Sequence, residues 1–188
     1  MKKGTIVVIT IIGIILLCGV MGISSYNSMV AKEENVDNKF SDISVQLERR
    51  MDLIPNLVNS VKGYMAHEQN AIDSVTSARA ELAGAKSVDE KAIANEKLTS
   101  ALNNLFVIVE NYPELKANTN FIQLQDELAG TENRIAVARR DYNDAVKEYN
   151  TSIKKFPQNI LAGMFNFDEK EYFEAKSGAE EVPNVSFE

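Results

Sequence analysis

A chain of 188 residues with a formal charge of −7 has room for one long apolar segment and one domain of ordinary size. Setting Lys2 and Lys3 aside leaves 18 basic against 27 acidic residues, which argues against nucleic acid and against an anionic lipid surface gripped by a basic patch. The single cysteine, Cys18, excludes a disulfide framework and a thiolate metal site, while four Pro, nine Gly and abundant Ala, Leu, Glu, Lys and Asn point to helices.

After a short flank, residues 1–4, comes Thr5–Ile23, TIVVITIIGIILLCGVMGI, nineteen residues without a charge. A helix rising about 1.5 Å per residue over that length matches a hydrocarbon core of about 30 Å. Its backbone groups bond within the segment, as lipid requires. Two rivals to a retained anchor are weaker. Cleavage after Gly22 would suit a signal peptide, but the run is longer than most signal cores and no A-x-A precedes the site. Cys18 as a lipidated residue would follow the bulky Leu17. Residues 5–23 are therefore expected to meet membrane lipid. Lys2 and Lys3 precede the span, whereas Lys32 is the nearest base after it, so the positive-inside bias places the N-terminus inside and the rest outside the cell membrane.

From Tyr26 two rows repeat every seven residues. One is Tyr26, Glu33, Phe40, Leu47, Ile54, Val61, Glu68, Val75, Leu82, and the other Met29, Val36, Ile43, Arg50, Leu57, Tyr64, Ala71, Ala78. This is the coiled-coil-like signature of helices packed at shallow angles. Pro55 falls inside the rows without shifting their phase, which suits a kinked long helix or two helices nearly end to end. The first turn is expected at Ala83–Ser87, where Ser87 and Glu90 can form a capping box. The next helix carries Val88, Ala92, Leu98, Leu102, Leu105 and Val109 and stops at Tyr112-Pro113. A turn over Pro113–Asn120 can hold a short helical piece at Glu114–Ala117. The following helix sets large Phe121, Leu128, Ile135, Tyr142, Tyr149 and Phe156 beside Leu124, Thr131, Ala138, Ala145 and Ser152, which lets a neighbour approach closely.

Beyond Pro157 the character changes. Ile160, Leu161, Met164, Phe165 and Phe167 form an apolar cluster, and residues 168–188 then hold seven acids against two bases. The cluster reads as a short helix covering the end of the bundle, with a hook for a partner or for the membrane interface as the alternative. The last dozen residues are expected to be mobile. The expectation is an all-α fold in which a single N-terminal transmembrane helix leads into an antiparallel bundle of long helices in three or four segments. The bundle is placed at residues 24–157 and an acidic, partly mobile tail at 158–188.

The densest polar stretch is residues 48–68, ERRMDLIPNLVNSVKGYMAHE, where Arg49, Arg50, Asp52, His67 and Glu68 could meet. No second histidine follows His67 to complete a zincin motif, and Tyr64 stands where a di-iron Glu-x-x-His would need its carboxylate. A phosphate loop and a nucleophile elbow are also missing. An enzyme, a metal and a cofactor are not expected. Arg50 and Glu68 interrupt the apolar rows, with Arg79, Glu132 and Arg139 close to them. These are solvated face residues or buried ion pairs that fix helix register, the alternative being a polar groove for a peptide or a second copy of the chain.

YNSMV at 26–30, RRMDLIPNLVNSVKGYMAHE at 49–68 and SAR at 77–79, followed by ENYPELKANTNFIQLQDELAGTENRIAVARRDYNDAVKEYN at 110–150 and FPQNILAGMF at 156–165, together resemble the LemA family of bacterial membrane proteins. The resemblance covers nearly the whole polar part. It implies one N-terminal anchor and long antiparallel helices, and it brings no catalytic residues. Some proteins of this kind take part in shaping intracellular membranes (magnetosomes), and others are linked to cell-surface or stress regulation.

The function expected is a non-enzymatic, membrane-anchored helical scaffold that self-associates and organises or remodels the membrane, in contact with other membrane proteins and without nucleic acid. The alternative is a regulatory adaptor that binds a membrane protease or sensor through residues 49–68 or the tail.

Overall fold

The computed structural model describes residues 3–65 and 67–174, and those residues form helices and no strand. The order is α1 (Lys3–Lys62), α2 (Gln69–Gly84), α3 (Val88–Val109), α4 (Pro113–Lys116), α5 (Thr119–Lys154) and α6 (Gln158–Phe165). The fold is all-α, with one long apolar N-terminal helix ahead of the other helical segments. The expected mobility of the last dozen residues lies outside the described residues.

Contacts divide the described residues into two units, residues 3–39 with 143–170, and residues 40–142 with 171–174. In the first, residues 8–23 of α1 are apolar on every side and none of them is buried; the helix is long and apolar enough there to cross a membrane. Packing begins at Met29 and Val36, which are buried, as are Val146 and Tyr149 on α5. Lys32 on α1 pairs with Glu148 on α5 at 2.5 Å.

In the second unit α1, α2, α3 and α5 supply four long segments. Arg79 on α2 reaches Met51 on α1, and Lys97 on α3 reaches Glu81 on α2, so each of these neighbours runs back along the one before. Arg134 and Glu132 on α5 meet Gln46 and Arg50 on α1, again antiparallel. Leu47, Ile54, Leu57, Val75, Leu98 and Leu105 are among the fully buried side chains that these segments share. The α3 start has the expected capping box, with Ser87 accepting from Glu90 N and the Glu90 side chain accepting from Ser87 N. Asn118 Oδ1 similarly accepts from the first amides of α5, at Asn120 and Phe121.

The first turn differs from the expected place. The chain turns at 63–68, where Tyr64 N and Met65 N both donate to Val61 O and the buried Met65 plugs the bend. The seven-residue phase cannot reveal this reversal because α1 and α2 face one core. Each keeps its own apolar row in step, Val61 before the turn and Val75 and Leu82 after it. Pro55 lies inside unbroken α1. Its ring removes the amide that would donate to Met51 O, and Arg79 Nε donates to that carbonyl instead, at 2.8 Å.

The apolar cluster after Pro157 does form a short helix, α6, but only Ala162 of it is buried. Asn166, at φ 57° and ψ 46°, ends it in the left-handed conformation that asparagine tolerates, and Phe167 N donates back to Ala162 O. Phe156, the last large residue of the α5 row, falls past the end of α5 and is 80% exposed.

Candidate functional site

Arg50 stands in an apolar row of α1 and is 3% exposed. Burying a guanidinium is costly unless its charge and donors are met. Here Nη1 donates to Asn95 Oδ1 at 2.7 Å and to Thr99 Oγ1 at 3.0 Å, both on α3. Thr99 Oγ1 in turn donates to Asn95 O. From α5, Glu132 Oε2 lies 2.5 Å from Nη1 as the charge partner, although the N–H is not aligned on it as a hydrogen bond. Arg50 Nε is buried with no hydrogen-bond acceptor among the described residues. Burial pulls the Arg50 pKa below the ordinary arginine value, against the opposing charge and proximity of Glu132.

Three helices thus converge on one guanidinium. Beside it opens a cleft of about 320 Å³ lined by Arg50, Thr99, Phe106, Gln125 and Glu132 among others. Among the described residues no group of three or more His, Cys, Asp or Glu could hold a metal ion. The chemistry of the Arg50 cluster is that of a buried cation met by a half-buried carboxylate and two neutral acceptors, contacts that join α1, α3 and α5.

Of the eight residues singled out from sequence, Arg50 and Glu132 come together. Arg79 is half-buried and serves the carbonyl freed by Pro55. Glu68 is half-buried in the α1–α2 turn and accepts from Tyr112 Oη at 3.1 Å. That contact and burial, with burial the larger cause, push the Tyr112 phenol above its ordinary value. Arg49, Asp52, His67 and Arg139 are exposed and stand outside the Arg50 cluster. Asn95 and Thr99 were missed. The signal for Asn95 was present, because it falls three before Leu98 and seven before Leu102 on the buried row of α3.

A second polar cluster lies in the other unit. Asn150 on α5 is 6% exposed and pairs with the backbone of Lys170, its Nδ2 donating to Lys170 O at 2.8 Å and its Oδ1 accepting from Lys170 N at 2.9 Å. The Lys170 ammonium meets Glu33 at 2.8 Å and Asp37 at 3.8 Å on α1, while Lys154 meets Glu169 at 2.6 Å. Burial alone would lower the Lys170 pKa. The hydrogen bond to Glu33 and the charges of Asp37 and Glu33 reverse that and hold it above the ordinary lysine value. Tyr149 Oη is buried nearby without a hydrogen-bond partner among the described residues. Desolvation, and then the charges of Glu33, Asp168 and Asp37, push its phenol up to about 12. The sequence signal for this cluster was Glu33, a charge at a position of the first apolar row.

Comparison with known proteins adds a lineage to this geometry. The profile of the LemA family matches residues 39–187. Two relatives are magnetosome proteins MamQ 2 and MamQ 1 of Paramagnetospirillum magneticum, each 29% identical over 177 residues, covering 80% of this chain and 65% of the relative. A third is protein LemA of Metamycoplasma hominis, 27% identical over 141 residues, covering 72% of this chain and 63% of the relative. The chain therefore spans just under two thirds of the length of these relatives, and their names denote no reaction.

Proposed function

The chain belongs to the LemA family, and from that premise we propose that it is a non-enzymatic, membrane-anchored scaffold that self-associates and organises or remodels a membrane. The observation that carries this reading is the unburied apolar stretch from Val8 to Ile23, which runs without a break into the packed part of α1. An apolar surface of that length is at home in lipid and in little else. Copies held in one bilayer meet at high effective concentration, so weak lateral contacts suffice for assembly. The magnetosome names of two relatives support the same reading, as does the resemblance to membrane-shaping proteins. With the N-terminus inside, the packed helices stand on the outer side of the cell membrane.

The test is in-cell crosslinking of a Cys18→Ser chain carrying Val137→Cys, a position that is 49% exposed. Dimers and higher species are expected from membranes. A chain that stays monomeric in cells and in mild detergent sinks the scaffold. In the same background Asn104→Cys, also exposed, should react with an impermeant maleimide in intact cells. Reaction only after lysis would put the helices inside.

An adaptor is the second reading, favoured by the exposure of Arg49, Asp52 and His67 along the 49–68 stretch. Charge reversal at Arg49 and Asp52 should leave self-association intact under the scaffold reading and abolish capture of a membrane protease or sensor under this one.

A further inference from the structure

Residues 156–167, FPQNILAGMFNF, hold no charge over twelve positions, and the helix they build hides almost nothing. Ile160 is 55% exposed, Met164 68% and Phe165 52%, with Phe156 just ahead of α6 at 80%. A helix this apolar on its open side is placed either in a core or against lipid. Tyr26 meets one edge of Phe165, but among the described residues nothing covers the open side of this face.

The place of α6 identifies what does. Pro157, Ile160 and Leu161 form one wall of a cleft of about 250 Å³ whose other wall is Cys18, Met21, Gly22 and Ser25 of α1. Phe165 and Phe167 rest edge-on against Tyr26, at ring-centroid distances of 4.9 and 5.6 Å. The short helix is therefore tied to the last turns of the apolar span, level with Met21 and Ile23, which are themselves 56% and 65% exposed. Both stretches leave apolar side chains exposed where they meet. Tyr26, Phe165 and Phe167 gather where aromatic side chains mark the boundary of lipid with water, and Lys154 and Lys155 flank the segment on one side.

We propose that α6 is an interfacial helix that lies in the headgroup and upper acyl layer of the same bilayer and gives the chain a second lipid contact beside its anchor. This rests on the reading that residues 8–23 cross a membrane. The lipid it takes is neutral in its demand, since α6 offers apolar side chains and no basic cluster. With anchor and α6 both engaged, the chain is held at two points, and its tilt and rotation are fixed where a single span would leave them free.

The experiment uses the full-length Cys18→Ser protein with single cysteines at Met164, Val20 or Thr151, each carrying an environment-sensitive fluorophore. The proteins are reconstituted in phosphatidylcholine vesicles with and without brominated acyl chains. Position 164 is expected to be quenched several-fold by the lipid bromines and shielded from aqueous iodide. Position 20 should be quenched likewise, and position 151, exposed on α5, should respond only to iodide. A Met164 label that behaves like position 151 while Val20 is quenched overturns the proposal and leaves the anchor standing. A Met164 label shielded from both quenchers means that protein covers α6, a second copy for example, and overturns it too. If Val20 itself escapes the lipid quencher, the membrane-spanning reading falls and α6 falls with it. A Met164→Asp chain with the label moved to Ile160 guards against a packing artefact. Residue 164 is largely exposed, so helix content should hold while the lipid quenching is lost.

Discussion

The Arg50 cluster and the Lys170 cluster are built from similar ingredients, one cation, carboxylate from one other helix (Glu132 in the first, Glu33 and Asp37 in the second) and an asparagine side chain, yet they differ in how much water reaches the cation. The Arg50 side chain is 4% exposed, whereas Lys170 is 31% and its partners Glu33 and Asp37 are 33% and 63%. Burial makes the first cluster all-or-none: every partner counts because the guanidinium has no solvent to fall back on. In the second, the charges are screened and the constraint comes from neutral hydrogen bonds between Asn150 and a backbone segment. One cluster joins three helices, and the other pins the strap of residues 168–170 that follows α6.

The largest effect should come from stripping the buried cation of its charge partner. Glu132→Ala is expected to cost about 3 kcal/mol, the lower end for breaking a buried pair, because Glu132 is itself partly exposed. Replacing both members, Arg50→Met with Glu132→Leu, should cost far less, since an apolar pair leaves no charge in the core. Chemical unfolding in detergent of the parent, Arg50→Met, Glu132→Leu and the double variant measures the cycle. Additive costs would mean that the Arg50 site is as well solvated as the Lys170 site, and the contrast would be lost.

Next in size is Asn150→Ala, which removes two hydrogen bonds from a buried position and should cost about 2 kcal/mol. Glu33→Gln, which touches only the screened charge, should stay within about 1 kcal/mol. Hydrogen exchange at the Lys170 amide separates the two, with strong acceleration expected for Asn150→Ala alone. Equal acceleration in both variants would show that the charges, and not the asparagine, hold the strap.

A third variant sharpens the buried side of the comparison. Arg79→Met should cost about 1–2 kcal/mol because Met51 O then has neither an amide nor a guanidinium to accept from. In a Pro55→Ala background residue 55 regains its N–H, so the same substitution should cost measurably less. Equal costs in both backgrounds would detach Arg79 from Pro55.

Much of this was legible before any coordinates. The seven-residue rows predicted Leu47, Ile54, Leu128 and Ile135 as core, and Ser87 with Glu90 announced the start of α3. Arg50 was visible as a charge where a leucine would be ordinary. What periodicity could not carry was direction: α1 and α2 share a phase, so the turn at 63–68 left no trace in it. Nor could it carry partnership. Asn95 and Arg50 lie 45 residues apart, and Asn150 and Lys170 are joined through a backbone that no side-chain pattern records. Pro55 looked like a kink because the residue that answers it, Arg79, stands on another helix.

The smallest effect is also the one of opposite sign. Tyr149 is fully buried, and its hydroxyl lacks a hydrogen-bond partner while Glu33, Asp37 and Asp168 press negative charge towards it. Tyr149→Phe removes only that oxygen, so the variant should gain up to about 1 kcal/mol at neutral pH. The phenol pKa is about 12 against an ordinary 10.0, so the folded chain holds this proton more tightly than the unfolded one. The associated stability is present in full below about pH 10 and is lost as pH rises towards about 12. Unfolding both proteins at pH 8 and pH 11 isolates the effect, because the other tyrosines and the lysines titrate in each and cancel. The stability lead of the Phe variant should widen at pH 11. A variant less stable at pH 8 would show that the hydroxyl is satisfied, and a lead that stays constant with pH would show that the carboxylates of this screened cluster do not reach a buried neighbour.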